Sequence, residues 1–167
     1  MSSDISQKEL FVFDLDGTLA RSKTPMDAEM VDLFSDLLKK RKVAVIGGGW
    51  LPVFEMHLLA SLKGHESLFP QLLLFPTSGA TFLHYEDGQW KTVYAHHLSD
   101  EERAKIKEAF TKAFADIGYQ HPEIVYGEVI EDRGTQITFS ALGQLAPIEL
   151  KDAYKGSPQD RRWEIVG

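Results

Sequence analysis

Asp14 and Asp16 stand two residues apart at the end of the apolar run 10–15, and Gly17 and Thr18 follow at once. Carboxylates this close repel one another, and burying them is costly unless a cation or hydrogen bonds compensate. A divalent metal supplies that compensation. Where a strand has just ended, a spacing of two lets both carboxylates face one pocket, while Gly17 permits a turn and Thr18 offers a hydroxyl to brace it. The competing reading is a turn that merely ends a strand and caps the next segment. In an open parallel sheet, ligands bind beyond the carboxyl ends of the strands, and Asp14 falls at such an end.

A second apolar run, 43–46, closes on Gly47, Gly48 and Gly49. These glycines make either a tight strand-to-helix turn or a nest of backbone N–H groups for a phosphate. No Gly-Lys-Ser/Thr follows, which excludes a P-loop, and Pro52 stands where a dinucleotide fingerprint has its third glycine. His96 and His97 are neighbours that face opposite sides of a strand, and the remaining histidines lack metal-ligand spacing, so all six are read as ordinary residues.

Elements must position these groups. The run 10–15 is almost continuously apolar, as suits a strand buried on both faces of a parallel sheet. Thr24 and Pro25 then suit an N-cap and a first helical position, and Met30, Phe34, Leu37 and Leu38 share one face until the basic run 39–42 closes the helix. After the glycines, Pro52 opens a second helix carrying Phe54, Leu58, Leu59 and Leu62, and the run 72–75 gives a third strand. Strand, helix, strand, helix, strand predicts an α/β fold with a doubly wound parallel sheet. From residue 80 the rhythm changes. Strands at 80–85 and 90–95 flank the hairpin signal Asp87-Gly88. The capping box at 99–102 launches a helix with Ile106, Phe110, Ala113, Phe114 and Ile117 on one face, ended by Gly118. Strands over 124–130 and 135–139 and a helix from Ser157-Pro158 complete an expected α+β unit of antiparallel strands with helices on one side.

A chain of 167 residues suffices for one ordinary domain or two small lobes. With 43% hydrophobic and 26% charged residues it is a soluble globular chain, and no apolar run approaches the roughly 18 residues needed to cross a bilayer. The first ten residues lack the basic and then apolar pattern of a secretory leader, and cysteine is absent, so a reducing, cytoplasmic setting is expected. A net charge of -7 opposes nucleic acid as a partner, yet a cation in a pocket reverses the local field for a small anionic substrate.

The string "FDLDGTL" resembles the first signature of the haloacid dehalogenase-like superfamily of phosphohydrolases and phosphomutases. The segment order resembles its cap type IIB branch, in which a cap follows the third core strand, and within that branch the eukaryotic-type phosphomannomutase family. "VAVIGGGW" sits where that family has a strand ending in Gly-Gly-Ser, and "EDRGTQITFSALGQ" resembles its substrate-contacting cap segment. The resemblance implies a Rossmann-like core over 1–79, an inserted cap over 80–167, and a Mg²⁺-dependent phosphohydrolase or phosphomutase acting on a small phosphorylated sugar. It implies that Asp14 becomes an aspartyl-phosphate, that Asp16 is the general acid and base, and that Mg²⁺ is held by the Asp14 carboxylate and the Asp16 backbone carbonyl. Thr18, the backbone of Gly47, Gly48 and Gly49, and the side chains of Arg133 and Ser140 would bind substrate. Glycine replaces the phosphate-binding Ser or Thr, Thr138 replaces an asparagine, and Gln144 replaces a second arginine, so a general sugar-phosphate activity is implied rather than one confined to mannose phosphate. The family's lysine-bearing and final acidic segments have no counterpart after Arg162, which implies a chain cut before the last core segment. The alternative is therefore a catalytically incomplete piece of this fold that binds anions or itself, with its first strand an open edge covered in a homodimer.

Overall fold

The computed structural model describes residues 7–21 and 24–166. Residues 1–6 of the segment read above for a leader lie outside them. The chain divides between His96 and His97 into two compact units.

The first unit is built on one five-stranded sheet of order β1-β2-β3-β4-β5, from β1 (Leu10–Asp14), β2 (Lys42–Ile46), β3 (Leu72–Phe75), β4 (Thr81–Glu86) and β5 (Gln89–Ala95). β1 runs parallel to β2 with Asp14 opposite Ile46, and β2 runs parallel to β3 with Ile46 opposite Phe75. The parallel α/β core expected from the alternating apolar runs is therefore present. Helix α1 (Ala28–Leu38) forms the first crossover. Asp27, not Thr24, is its N-cap: the Asp27 carboxylate accepts the Met30 N–H at 2.8 Å, whereas the Thr24 hydroxyl donates to the Arg21 carbonyl. Helix α2 (Leu51–Phe54) starts with a proline in its first turn and widens into a π-helical turn over Glu55–Leu59, closed by the Ala60 N–H on the Glu55 carbonyl at 2.9 Å. Val43, Val45, Phe54, Leu58, Leu62, Leu72 and Leu74 are fully buried. Each such side chain contributes roughly 1.5–3 kcal/mol of apolar burial, which makes this layer the principal source of stability.

Two expectations are corrected here. β1 is the edge strand among the described residues, and Leu10 and Val12 are exposed, so it is not buried on both faces. The hairpin β4-β5 belongs to the first unit rather than to a second domain starting at residue 80. A tight turn at Thr77–Gly79 folds β4 back against β3, with Leu74 opposite Leu83, and Phe69, Tyr85 and Trp90 cluster with ring centroids 5.3–5.6 Å apart. Burial of Leu83 and this cluster ties the hairpin to the core. Its turn has φ of 52° at Asp87 and 79° at Gly88, the paired left-handed conformations of a type I′ turn.

The second unit contains α3 (Asp100–Asp116), the antiparallel pair β6 (Ile130–Asp132) and β7 (Ile137–Phe139), α4 (Ile148–Tyr154) and α5 (Arg162–Val166). The predicted capping box opens α3: the Ser99 hydroxyl accepts the Glu102 N–H, and the Glu102 carboxylate accepts the Ser99 N–H at 2.8 Å. Phe110, Phe114, Tyr119 and Phe139 pack ring to ring, with centroids 5.0–5.9 Å apart. β6 begins only at the last residue of the strand expected over 124–130; before it, Tyr126 exchanges bonds with Leu142 and Leu145 rather than joining a ladder. Ser157 and Pro158 lie in a turn, and Pro147 instead caps the unforeseen α4.

Candidate active site

The loop after β1 winds around Leu15. This side chain is buried, and its carbonyl accepts N–H groups from Thr18, Leu19 and Ala20. Gly17, at φ 82°, makes the reversal, and its N–H donates to the Ala20 carbonyl at 2.7 Å. With Leu15 driven inward, Asp14 on one side of it is exposed and Asp16 on the other is half-buried. The Leu15 N–H donates to Asp14 Oδ1 at 2.8 Å and so fixes the carboxylate relative to the backbone. Thr18 is exposed, and the brace found at this position is its backbone N–H rather than its hydroxyl.

Parallel pairing of β1 with β2 brings Gly47 beside Asp14: a Cβ placed on Gly47 would lie 3.7 Å from Asp14 Oδ1 and 3.5 Å from the Phe54 ring. The Gly47 N–H donates to the Phe75 carbonyl. On its other side the loop is held by the turn after β3, where the Thr77 N–H donates to the Gly49 carbonyl and the Ser78 N–H to the Gly47 carbonyl, both at 2.8 Å. Thr77, Ser78 and Gly79 have φ of 50°, 57° and 86°. Pro76 and the pair Ser78-Gly79 after an apolar run signal a turn, but its contact with the glycine loop is not local information.

Asp14, Asp16, Thr18, Gly47, Gly48 and Gly49 thus belong to the carboxyl-terminal end of the first unit's parallel strands. Among the described residues no cluster of three or more His, Asp or Glu groups could hold a metal. Mg²⁺ needs fewer protein ligands than such a cluster, since it keeps several waters and takes one or two carboxylates, such as Asp14 and Asp16 could offer, together with substrate phosphate oxygens.

Arg133 and Ser140 belong to the second unit. Arg133 is largely buried, its Nε donating to Glu131 Oε2 at 2.6 Å and its Nη2 to Gln144 Oε1 at 3.4 Å. The Ser140 hydroxyl donates to the Gly143 carbonyl, and Lys151 Nζ donates to the Gln144 carbonyl at 2.7 Å. Glu131, the partner of Arg133, stands opposite Thr138 in the β6-β7 pair. The Gly134 N–H and Lys107 hold the Asp132 carboxyl below the usual carboxylate range, and a bidentate contact from Arg162 does the same for Asp160. Burial pushes the Tyr119 hydroxyl up. A cleft of about 830 Å³ in this unit is lined by Phe110, Phe139, Trp163 and the paired Asp160 and Arg162. Its lining is mainly apolar, and the pair Asp14 and Asp16 belongs to the first unit.

No family model matches the chain. Among curated proteins it is similar to the phosphomannomutase of Encephalitozoon cuniculi, with 27% identity over 83% of this chain and 51% of that protein. It is also similar to the phosphomannomutase of Schizosaccharomyces pombe, with 24% identity over 93% of this chain and 58% of that protein. The chain therefore spans about half the length of the curated relatives it matches. Among solved structures, an N-terminally truncated, IMP-bound IMP-nucleotidase of Plasmodium falciparum shares the fold, with TM-score 0.57 and 14% identity over 95% of this chain and 46% of that one.

Proposed function

We propose that this chain belongs to the haloacid dehalogenase-like superfamily and that its first unit carries the nucleophilic part of a phosphoryl-transfer site for phosphorylated sugars. The observation that carries the reading is Asp14 at the carboxyl end of β1, its Oδ1 fixed by the Leu15 N–H and 3.7 Å from where a Cβ on Gly47 would lie. An Asp14 oxygen attacks phosphorus in line, the bond from phosphorus to the leaving oxygen breaks, and an aspartyl-phosphate forms. Asp16 gives its proton to the leaving oxygen. It then takes a proton from the water or sugar hydroxyl that attacks the phosphorylated Asp14. The Asp14 carboxylate and the Asp16 backbone carbonyl would hold Mg²⁺, which when bound neutralises charge on the phosphoryl oxygens. In the second unit, Arg133 offers a guanidinium to a substrate anion at the expense of its contact with Glu131, and Ser140 offers a hydroxyl at the expense of its bond to Gly143. Thr138 and Gln144 favour sugar phosphates as a class over mannose phosphate in particular.

No helix among the described residues is long and apolar enough to cross a membrane, and a cytoplasmic setting agrees with a cysteine-free sequence. The test is phosphate release from a panel of hexose and pentose phosphates, with and without Mg²⁺, beside Asp14→Asn. Mg²⁺-dependent release lost in Asp14→Asn is expected, and release equal in both chains overturns the reading.

The exposed edge of β1, with Leu10 and Val12 uncovered, supports a second reading in which the chain associates with another copy of itself without turning over substrate. A monomer in sedimentation across a hundredfold concentration range would remove it.

A further inference from the structure

We propose that Ser78 is the side chain that donates a hydrogen bond to the transferring phosphoryl group, taking the place of the hydroxyl missing from the glycine loop. This rests on the reading of Asp14 as the phosphoryl acceptor. The loop cannot accept a hydroxyl at its last position without displacement: a Cβ on Gly49 would lie 2.8 Å from Val53 Cγ1 and 3.0 Å from its Cβ. Gly48 differs. A Cβ there would meet nothing nearer than Ser78 Oγ at 3.9 Å, so the Ser78 hydroxyl borders the space that a side chain from the loop would occupy. Ser78 is exposed, and its N–H is anchored on the carbonyl of Gly47, the residue beside Asp14.

The backbone points the same way. Thr77 and Ser78 both adopt left-handed φ, a conformation that costs free energy for any residue but glycine and most for a β-branched one. Such outliers persist where the surroundings over-determine them and cluster at functional sites. Thr77 is buried, its hydroxyl donating to the Pro76 carbonyl at 2.8 Å, so packing accounts for the side chain at that position. Ser78 is exposed, and no packing rewards keeping a side chain there instead of glycine. A hydroxyl presented to an anion beside Asp14 supplies the missing reason.

Ser78→Gly separates this role from a structural one, because glycine favours the observed φ while removing the hydroxyl. Titrating orthophosphate in the presence of Mg²⁺ into the full 167-residue chain should show affinity falling about tenfold in Ser78→Gly, as expected for loss of one hydrogen bond to a charged group. The melting temperature should hold or rise. The double variant Gly48→Ser, Ser78→Gly returns a hydroxyl to the same space and should recover most of the affinity. Unchanged orthophosphate affinity in Ser78→Gly, with Asp14→Asn still abolishing turnover, overturns the role of Ser78 and leaves the proposed function standing. A wild-type chain that neither binds orthophosphate nor releases it from a sugar phosphate overturns both.

Discussion

The two units are held together by different physics. Every buried apolar residue among those described lies before His97 except Ala141 and Ala146, whereas α3 has no buried residue at all. In place of a deep core the second unit has half-buried rings and ion pairs: Lys107 with Asp132, Arg133 with Glu131, Arg161 with Glu164, and Arg162 with Asp160. A nucleophile tolerates little displacement, and Asp14, the one proposed, sits on the densely buried layer. Groups that contact a variable part of a substrate tolerate rearrangement, and Arg133 and Ser140, proposed for that role, sit on the thinner one.

The largest effect should fall on chemistry alone. Asp14→Asn is expected to lower turnover by on the order of a thousandfold or more while leaving amide exchange in both units unchanged. Retained turnover would remove the assignment of chemistry to the first unit. Next, Leu74→Ala should cost about 3 kcal/mol, visible as faster exchange of amides in β2 and β3. The half-buried Phe139→Ala should cost about 1–2 kcal/mol, visible in β6 and α3. If either change moves both sets of amides equally, the units do not unfold separately and the contrast fails.

Acid should discriminate further. Asp132 and Asp160 have folded pKa values below their unfolded ones, so their contribution is fully present above about pH 4 and is lost as pH falls below that. The lowered carboxyls of the first unit, Asp36, Glu66 and Asp87, are exposed side chains, whereas the Asp160 side chain is only 3% exposed. Exchange protection in the second unit should therefore fail first as pH is lowered, and loss of β2 protection before that of β6 would contradict it. The smallest effect is Ser99→Ala, which removes half of the capping box and should cost about 1 kcal/mol, confined to α3.

Much of this contrast is legible in local sequence. Continuous apolar runs 43–46 and 72–75 predict the buried parallel strands, Asp87-Gly88 predicts its turn, and Ser99 with Glu102 predicts the helix start. What escapes is non-local. Nothing near Thr81 reveals whether β4 pairs with β3 or with a later strand, since alternation fixes a face and not a partner. The exposure of Leu10 and Val12 on β1 depends on what covers that strand. Within the site, the pair Asp14 and Asp16 and the glycines announce themselves by type and spacing. Ser78 does not, because a serine before a glycine looks like any turn until the fold sets it against Gly48.

The type I′ turn at Asp87-Gly88 also sets a clock. A hairpin joined by two residues closes in roughly 1–10 μs, whereas β1, β2 and β3 must each wait for a crossover before they can pair. The hairpin β4-β5 is thus the sheet element expected to form earliest, offering β3 a template before the parallel strands arrive. The segment bearing Ser78 would then be shaped at its β4 side while the strand carrying Asp14 is still searching for its partner. Rate measurements on Tyr85 and Trp90 variants, with folding slowed as much as stability is lost, would be the signature of that order.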